Sequence, residues 1–193
     1  MRHPNKNISD IKRLCRLYNE GTVFTAFDTE TSSITPTTGR IIEIGAIKFT
    51  KDKVIGSWCG IFNPNQKLSP FITNLTHITQ QMVNFSDYID VHLPDFLSFI
   101  KDTVLIAHNA QFDINFLKAE CEKSNLPVIK NQVADTLKLS RIIFPDFARY
   151  RLDFLADMFS IDKGSSHRAY DDAKVCMQLF KICMDKEKYL KTN

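Results

Sequence analysis

The stretch VFTAFDTE, residues 23–30, reads as a β-strand running into two acids, and the fold turns on it. Its side chains alternate between two faces with period two, the spacing of a strand rather than a helix. IIEIGAIKFT at 41–50 and VIGSWCGIF at 54–62 repeat the strand signature. The polar turns between them contain Pro36 and Gly39, then Lys51 and Asp52, so an antiparallel meander is expected. A mixed helical and loop region follows, through NLTHITQQMV and LPDFLSFI, and leads into a fourth strand, TVLIAH. FDINFLKAECEK then has the apolar spacing of a helix, and VADTLKLSRIIF contains a short strand or helix start. LDFLADMF and AYDDAKVCMQLFKICM read as further helices. The pattern is that of an α/β protein, a mixed sheet with helices on its faces.

A chain of 193 residues with 15 Phe, 6 Gly and 7 Pro can bury a sizeable core as one domain. Residues 1–20 are expected as a helical extension, capped by Ser9, with Ile11, Leu14, Cys15 and Tyr18 on its apolar side. Its Lys12, Arg13 and Arg16 read as a solvated face. Residues 21–185 are expected as the main domain and 186–193 as a tail. A net charge of +3 neither demands nor excludes an anionic partner. Five cysteines without ligand spacing disfavour a disulfide framework and a structural zinc, and Cys176 and Cys183 read as small core residues. No apolar run reaches the roughly 18 residues of a membrane span. A soluble, cytoplasmic protein with no membrane partner is expected.

The chemistry lies in acids and one histidine scattered along the chain. In a strand, Asp28 and Glu30 project to the same side as Phe24 and Ala26, so two carboxylates can share one cation. Asp113 follows the strand TVLIAH, in the first turn of the next helix, and α/β sheets place ligands beyond strand ends. In HRAYDDA, helical phase puts Asp172 on the stripe of Ala169, Ala173, Cys176 and Phe180, and Asp171 with Lys174 on the polar side. An acid aimed at an apolar interface is costly unless paired or coordinated, so Asp172 is read as a ligand and Asp171 as a surface acid. His167, at the loop-to-helix boundary, adds the titratable base that water activation needs.

These residues, in this order, resemble the DEDD exonuclease superfamily in its histidine variant, the DnaQ-like family, and look most like the epsilon-type exonucleases of bacterial replicative polymerases. The likeness covers about residues 22–183, with FDTETS, RIIEIGAIK, NLTHIT, LIAHNAQFDINFL, VADTLKLSR and HRAYDDAKV. It implies a ribonuclease H-like fold with a central mixed five-stranded sheet flanked by helices. It also implies removal of single nucleotides from 3′ ends, with two Mg²⁺ or Mn²⁺ ions held by Asp28, Glu30, Asp113 and Asp172, and His167 as general base. Thr31, His108, Asn109 and Phe112 are expected at the terminal nucleotide. Asp135 is expected as a supporting hydrogen-bond acceptor, and Arg168, with Arg149, Arg151 and Lys163, near phosphates. The implied partners are single-stranded or frayed DNA 3′ ends and a polymerase. The chain stops soon after its last expected helix, without a polymerase-binding tail, so an independently acting nuclease is expected as readily as a bound subunit. RNA ends as substrate, and a non-catalytic binding module, are the competing readings.

Overall fold

Alternation along the central strands divides the protein between two cores. Strand β1 (Phe24–Thr31) sends Phe24 and Ala26 to one face and Phe27 to the other. Strand β2 (Ile41–Phe49) splits the same way, Ile47 and Phe49 against Ile44 and Ala46, as does β4 (Val104–Ala107), Val104 and Ile106 against Leu105 and Ala107. With both faces covered, these strands read as nearly unbroken apolar runs. The computed structural model describes residue 8, residues 10–165 and residues 167–190, the side chains of 187–190 excepted.

The sheet order is β3-β2-β1-β4-β5, with β3 at Val54–Ile61 and β5 at Val133–Asp135. Pairs β1/β2 and β2/β3 are antiparallel, which is the expected meander. Pairs β1/β4 and β4/β5 are parallel, so β1 and β4 end on the same side of the sheet. A parallel neighbour needs a crossover. The chain makes the first through α2 (Pro70–Thr76), α3 (Gln80–Asn84) and α4 (Ile89–Ile100), and the second through α5 (Gln111–Lys123).

One face packs against α1 (Ile11–Asn19), α6 (Thr136–Ile143), α7 (Leu152–Met158) and α8 (Ala169–Leu190); the other packs against α4 and α5. Phe24, Phe49 and Phe180 lie with ring centroids 5.1–6.1 Å apart, and Tyr18 of α1 closes the cluster 5.8 Å from Phe180. Full burial of each such ring contributes about 1.5–3 kcal/mol. Leu14, Cys15 and Tyr18 therefore make α1 part of this core, and its Lys12, Arg13 and Arg16 are exposed. Ser9 lies outside the described residues, and Asp10 caps α1 by accepting from Arg13 N at 3.2 Å. Cys176 and Cys183 are buried on α8 as expected. That helix continues to Leu190, through most of the segment expected as a tail. Among the described residues no helix is long and apolar enough to cross a membrane.

A close approach sets the position of α8. A Cβ built on Gly45 of β2 would lie 2.1 Å from the backbone N of Tyr170 and 2.2 Å from the carbonyl carbon of Ala169. Only a residue without a side chain lets the first turn of α8 rest on the strand there. Gly45→Ala is expected to cost about 1–3 kcal/mol in urea unfolding, because the atoms in the way are backbone and cannot rotate aside. An unchanged midpoint would contradict this.

Candidate active site

The expected ligands come from three elements that meet at the ends of β1 and β4. Asp28 and Glu30 lie on the α8 face of β1, where Asp28 pairs in register with Gly45 and Glu30 with Glu43. With no side chain at Gly45, the space beside Asp28 is filled by the start of α8, which brings Asp172 in. Asp113 arrives from the other side, in the first turn of α5. It is buried, and its Oδ1 accepts from both the N–H of Thr29 at 3.0 Å and the Thr29 hydroxyl at 2.7 Å. Two donors on one oxygen fix the carboxylate against β1.

His167 has a left-handed backbone, φ 60°, and its N–H donates to Asp172 Oδ2 at 3.1 Å. That bond folds the loop back onto the first turn of α8. Glu30, His167 and Asp172 each present a ligand atom, all within 4.8 Å of one another. Asp171, expected as a surface acid, is half-buried and accepts from Ser165 N at 2.8 Å. Helical phase turned it away from the sheet as expected, but the preceding loop folds over it.

The acids strain against one another electrostatically. Burial pushes Asp28 well above the carboxylate range, and the nearby charges of Asp113, Glu30, Asp172 and Glu43 push it further. Glu30 rises to about 8 through burial, then Asp172, Glu43 and Asp113, with Arg168 pulling it down. Asp113 rises to about 7 through burial, resisted by its bonds from Thr29, and Asp172 to about 6 through burial, resisted by His167. Converging carboxylates with this much mutual repulsion form an oxygen-rich cage suited to hard divalent cations.

Glu43 was not singled out in the sequence and proves central to the local architecture. Buried on β2, it accepts from Arg168 Nη2 at 2.7 Å, from Arg168 Nε at 3.1 and 3.2 Å, and from Ala169 N at 2.9 Å. It thereby holds the guanidinium and the N-terminus of α8 together. An acid inside the apolar run IIEIGAIKF was the available signal, since a buried carboxylate requires partners.

The expected nucleotide contacts fare differently. Thr31 is buried and its hydroxyl donates to Ser33 O at 2.7 Å, closing the turn after β1. His108 uses both ring nitrogens, at 3.0 Å from Thr136 Oγ1 and 2.8 Å from Tyr150 O, and burial lowers its pKa. Arg168 pairs with Glu43 through Nε and Nη2, its side chain one-third exposed. Asn109 is exposed with φ 63°, and Phe112 is half-buried against Phe116, ring centroids 5.0 Å apart. Asp135 is an acceptor as expected: its Oδ1 takes the N–H groups of Asn109 at 3.1 Å and Leu137 at 3.0 Å, capping α6.

Residues 25–180 match the exonuclease family model, and the chain belongs to that family. Within it the chain is a DnaQ-like 3′–5′ exonuclease. It is 41% identical over 165 residues to the DNA polymerase III subunit epsilon of Treponema pallidum, covering 84% of this chain and 76% of that protein. It is likewise 41% identical over 163 residues to the PolC-type DNA polymerase III of Caldanaerobacter subterraneus subsp. tengcongensis, spanning 84% of this chain but only 12% of that polymerase. In fold it resembles E. coli Exonuclease I solved with a dT13 oligonucleotide, with a TM-score of 0.78 and 18% identity over 89% of this chain and 43% of that one. Exonuclease X, solved with 5′ overhanging duplex DNA, superposes with a TM-score of 0.67 at 23% identity, over 84% and 91% of the two chains. The expected ribonuclease H-like sheet is thus the observed one.

Arg168→Ala strands the buried Glu43 carboxylate and is expected to cost about 1–3 kcal/mol in urea unfolding, with Arg168→Lys losing less. Equal stability of all three proteins would contradict the clamp. The raised acids also set a pH dependence. Asp172, Asp113 and Glu30 have ordinary values of 3.8, 3.8 and 4.5 and folded values of about 6, 7 and 8, so the folded chain holds more protons between about pH 4 and 8. Their contribution to stability is complete below that window and is lost as pH rises through it. With EDTA present, urea unfolding is expected to show lower stability at pH 8 than at pH 5, the difference shrinking in Glu30→Gln and on adding Mg²⁺.

Proposed function

We propose that the chain removes nucleotides one at a time from DNA 3′ ends by two-metal hydrolysis, with His167 as general base. The observation that carries this reading is the meeting of Glu30, His167 and Asp172 within 4.8 Å of one another, beside Asp28 and Asp113. The DNA polymerase III names of the relatives at 41% identity support DNA as substrate and a setting in replication or repair, with a polymerase as partner.

The donor set fits Mg²⁺ or Mn²⁺, for it is built of carboxylate oxygens with a single imidazole beside them. Asp28, Glu30, Asp113 and Asp172 would hold two such ions, which supply neutralisation of the scissile phosphate and a more acidic attacking water. His167 accepts the proton of that water. Its main chain hangs from Asp172 Oδ2, so base and ligand keep a common frame. Thr29 holds Asp113 in orientation, and Glu43 with Arg168 holds the first turn of α8. Asn109 and Phe112 supply the surface that the terminal nucleotide meets, while Thr31, His108 and Arg168 brace it from behind.

His167→Ala is expected to lower turnover of a 3′-labelled DNA oligonucleotide about 10²–10⁴-fold, with an unchanged circular dichroism spectrum. Asp172→Ala is expected to remove most of the activity, and EDTA all of it. Near-normal turnover in either variant would refute the assignment, and faster loss of a matched RNA oligonucleotide would move the substrate to RNA.

A further inference from the structure

The two edges of the sheet are finished differently. At the β5 edge the N–H of Ile8 donates to Val133 O at 2.8 Å, so the start of the chain occupies it. At the other edge, among the described residues, no strand lies beyond β3. Phe62 N donates to Ile42 O at 2.8 Å, and antiparallel bonding alternates, so Gly60, Trp58 and Gly56 also turn their main-chain groups to β2. Ser57, Cys59 and Ile61 then turn theirs outward. Among the described residues no group outside the sheet bonds to them.

An open edge pairs readily with another strand, and folded proteins ordinarily guard it with charges, Pro or a very short strand. VIGSWCGI has eight residues, with no charge and no Pro. A bulge at Ile55, where Lys48 pairs with Gly56 and Phe49 with Val54, leaves residues 56–61 regular. Val54 and Ile55 stand about half exposed beside it, apolar surface that a partner would remove from water. A second copy is the occupant that fits. Turned antiparallel about a two-fold axis at Cys59, the strand sets Ser57 opposite Ile61 and Cys59 opposite itself, so all three outward residues meet outward residues. Trp58 then faces Gly60, a large side chain against none. The ends match in charge as well. Exposed Lys53 lies just before the strand, and Asp87, an exposed acid whose carbonyl accepts from Asn63 N at 2.9 Å, lies beside its far end. The axis brings each Lys53 toward the other copy's Asp87.

We infer that this edge is a self-pairing interface, at which two copies of the chain join β3 to β3 antiparallel and make one continuous sheet. The α8 helices of both copies then lie on the same face, and the two carboxylate clusters point to opposite ends of the strands. The inference stands independently of the nuclease reading.

Sedimentation equilibrium of the full chain from about 1 to 100 μM is expected to give the mass of two chains at the upper end. Of the five cysteines only Cys59 is exposed, so a short bis-maleimide is expected to join two chains through it, and Cys59→Ser to abolish that product. Ser57→Pro removes an outward N–H while sparing the bonds to β2, and Cys59→Lys sets two cations against each other on the axis. Each is expected to raise the dissociation constant of the dimer more than about tenfold, with an unchanged circular dichroism spectrum. Should Ser57→Pro unfold, Cys59→Lys decides alone. A wild type that stays monomeric at about 100 μM, or a dimer that fails to cross-link through Cys59 or survives Cys59→Lys, overturns the interface.

Discussion

The contact of α8 with β2 at Gly45 is the constraint on which the site depends. A helix axis ordinarily stands well off a sheet because side chains fill the gap, yet here the first turn of α8 lies on bare strand backbone. That proximity carries Asp172 to Asp28 and Glu30, and it lets Glu43, two residues before Gly45 on the same face, reach the N–H of Ala169. Glycine makes the approach sterically possible, and the buried acid makes it specific.

The second requirement is electrostatic. Acids that raise one another's pKa destabilise the folded chain near neutrality when no cation is bound, so the scaffold must hold them in place by other means. It does so with main-chain hooks. Asp113 hangs on Thr29, His167 on Asp172, and Asp171 on Ser165. Each bond orients a carboxylate oxygen or the loop beside it without placing a second full charge in the cluster, so the attraction for divalent ions is preserved. Arg168 is paired with Glu43, and its lowering pull on Glu30 is outweighed by burial and the acids around it.

Much of this was legible in the chain. Alternation revealed β1 to β3 and their antiparallel order, because each strand is long enough for period two to register. Helical phase set Asp172 toward Glu30 and His167 and Asp171 away from them, since α8 is regular from its first turn, but it could not show the loop that folds over Asp171. What escaped detection was tertiary. β5 has three residues, too few for any period, so VADTLKLSRIIF left strand or helix start open where the structure has β5 followed by α6. The pairing of Glu43 with Arg168 joins positions 125 residues apart, and neither side chain announces the other. Arg168, adjoining His167, invites a phosphate role, and the sequence does not reveal that Glu43 is its partner. The family likeness supplied the five-stranded topology that local patterns left open.

The sheet is also a partition, and Asp113 crosses it. Its helix, α5, is packed wholly into the core on the far side, with Ile114, Phe116 and Leu117, yet its carboxylate hangs from the backbone of the strand that bears Asp28 and Glu30. Thr29 therefore ties a helix of the far core to the strand that bears Asp28 and Glu30. A methyl-for-hydroxyl exchange there would remove one of the two bonds and leave the main-chain one, loosening the link without touching any charged group.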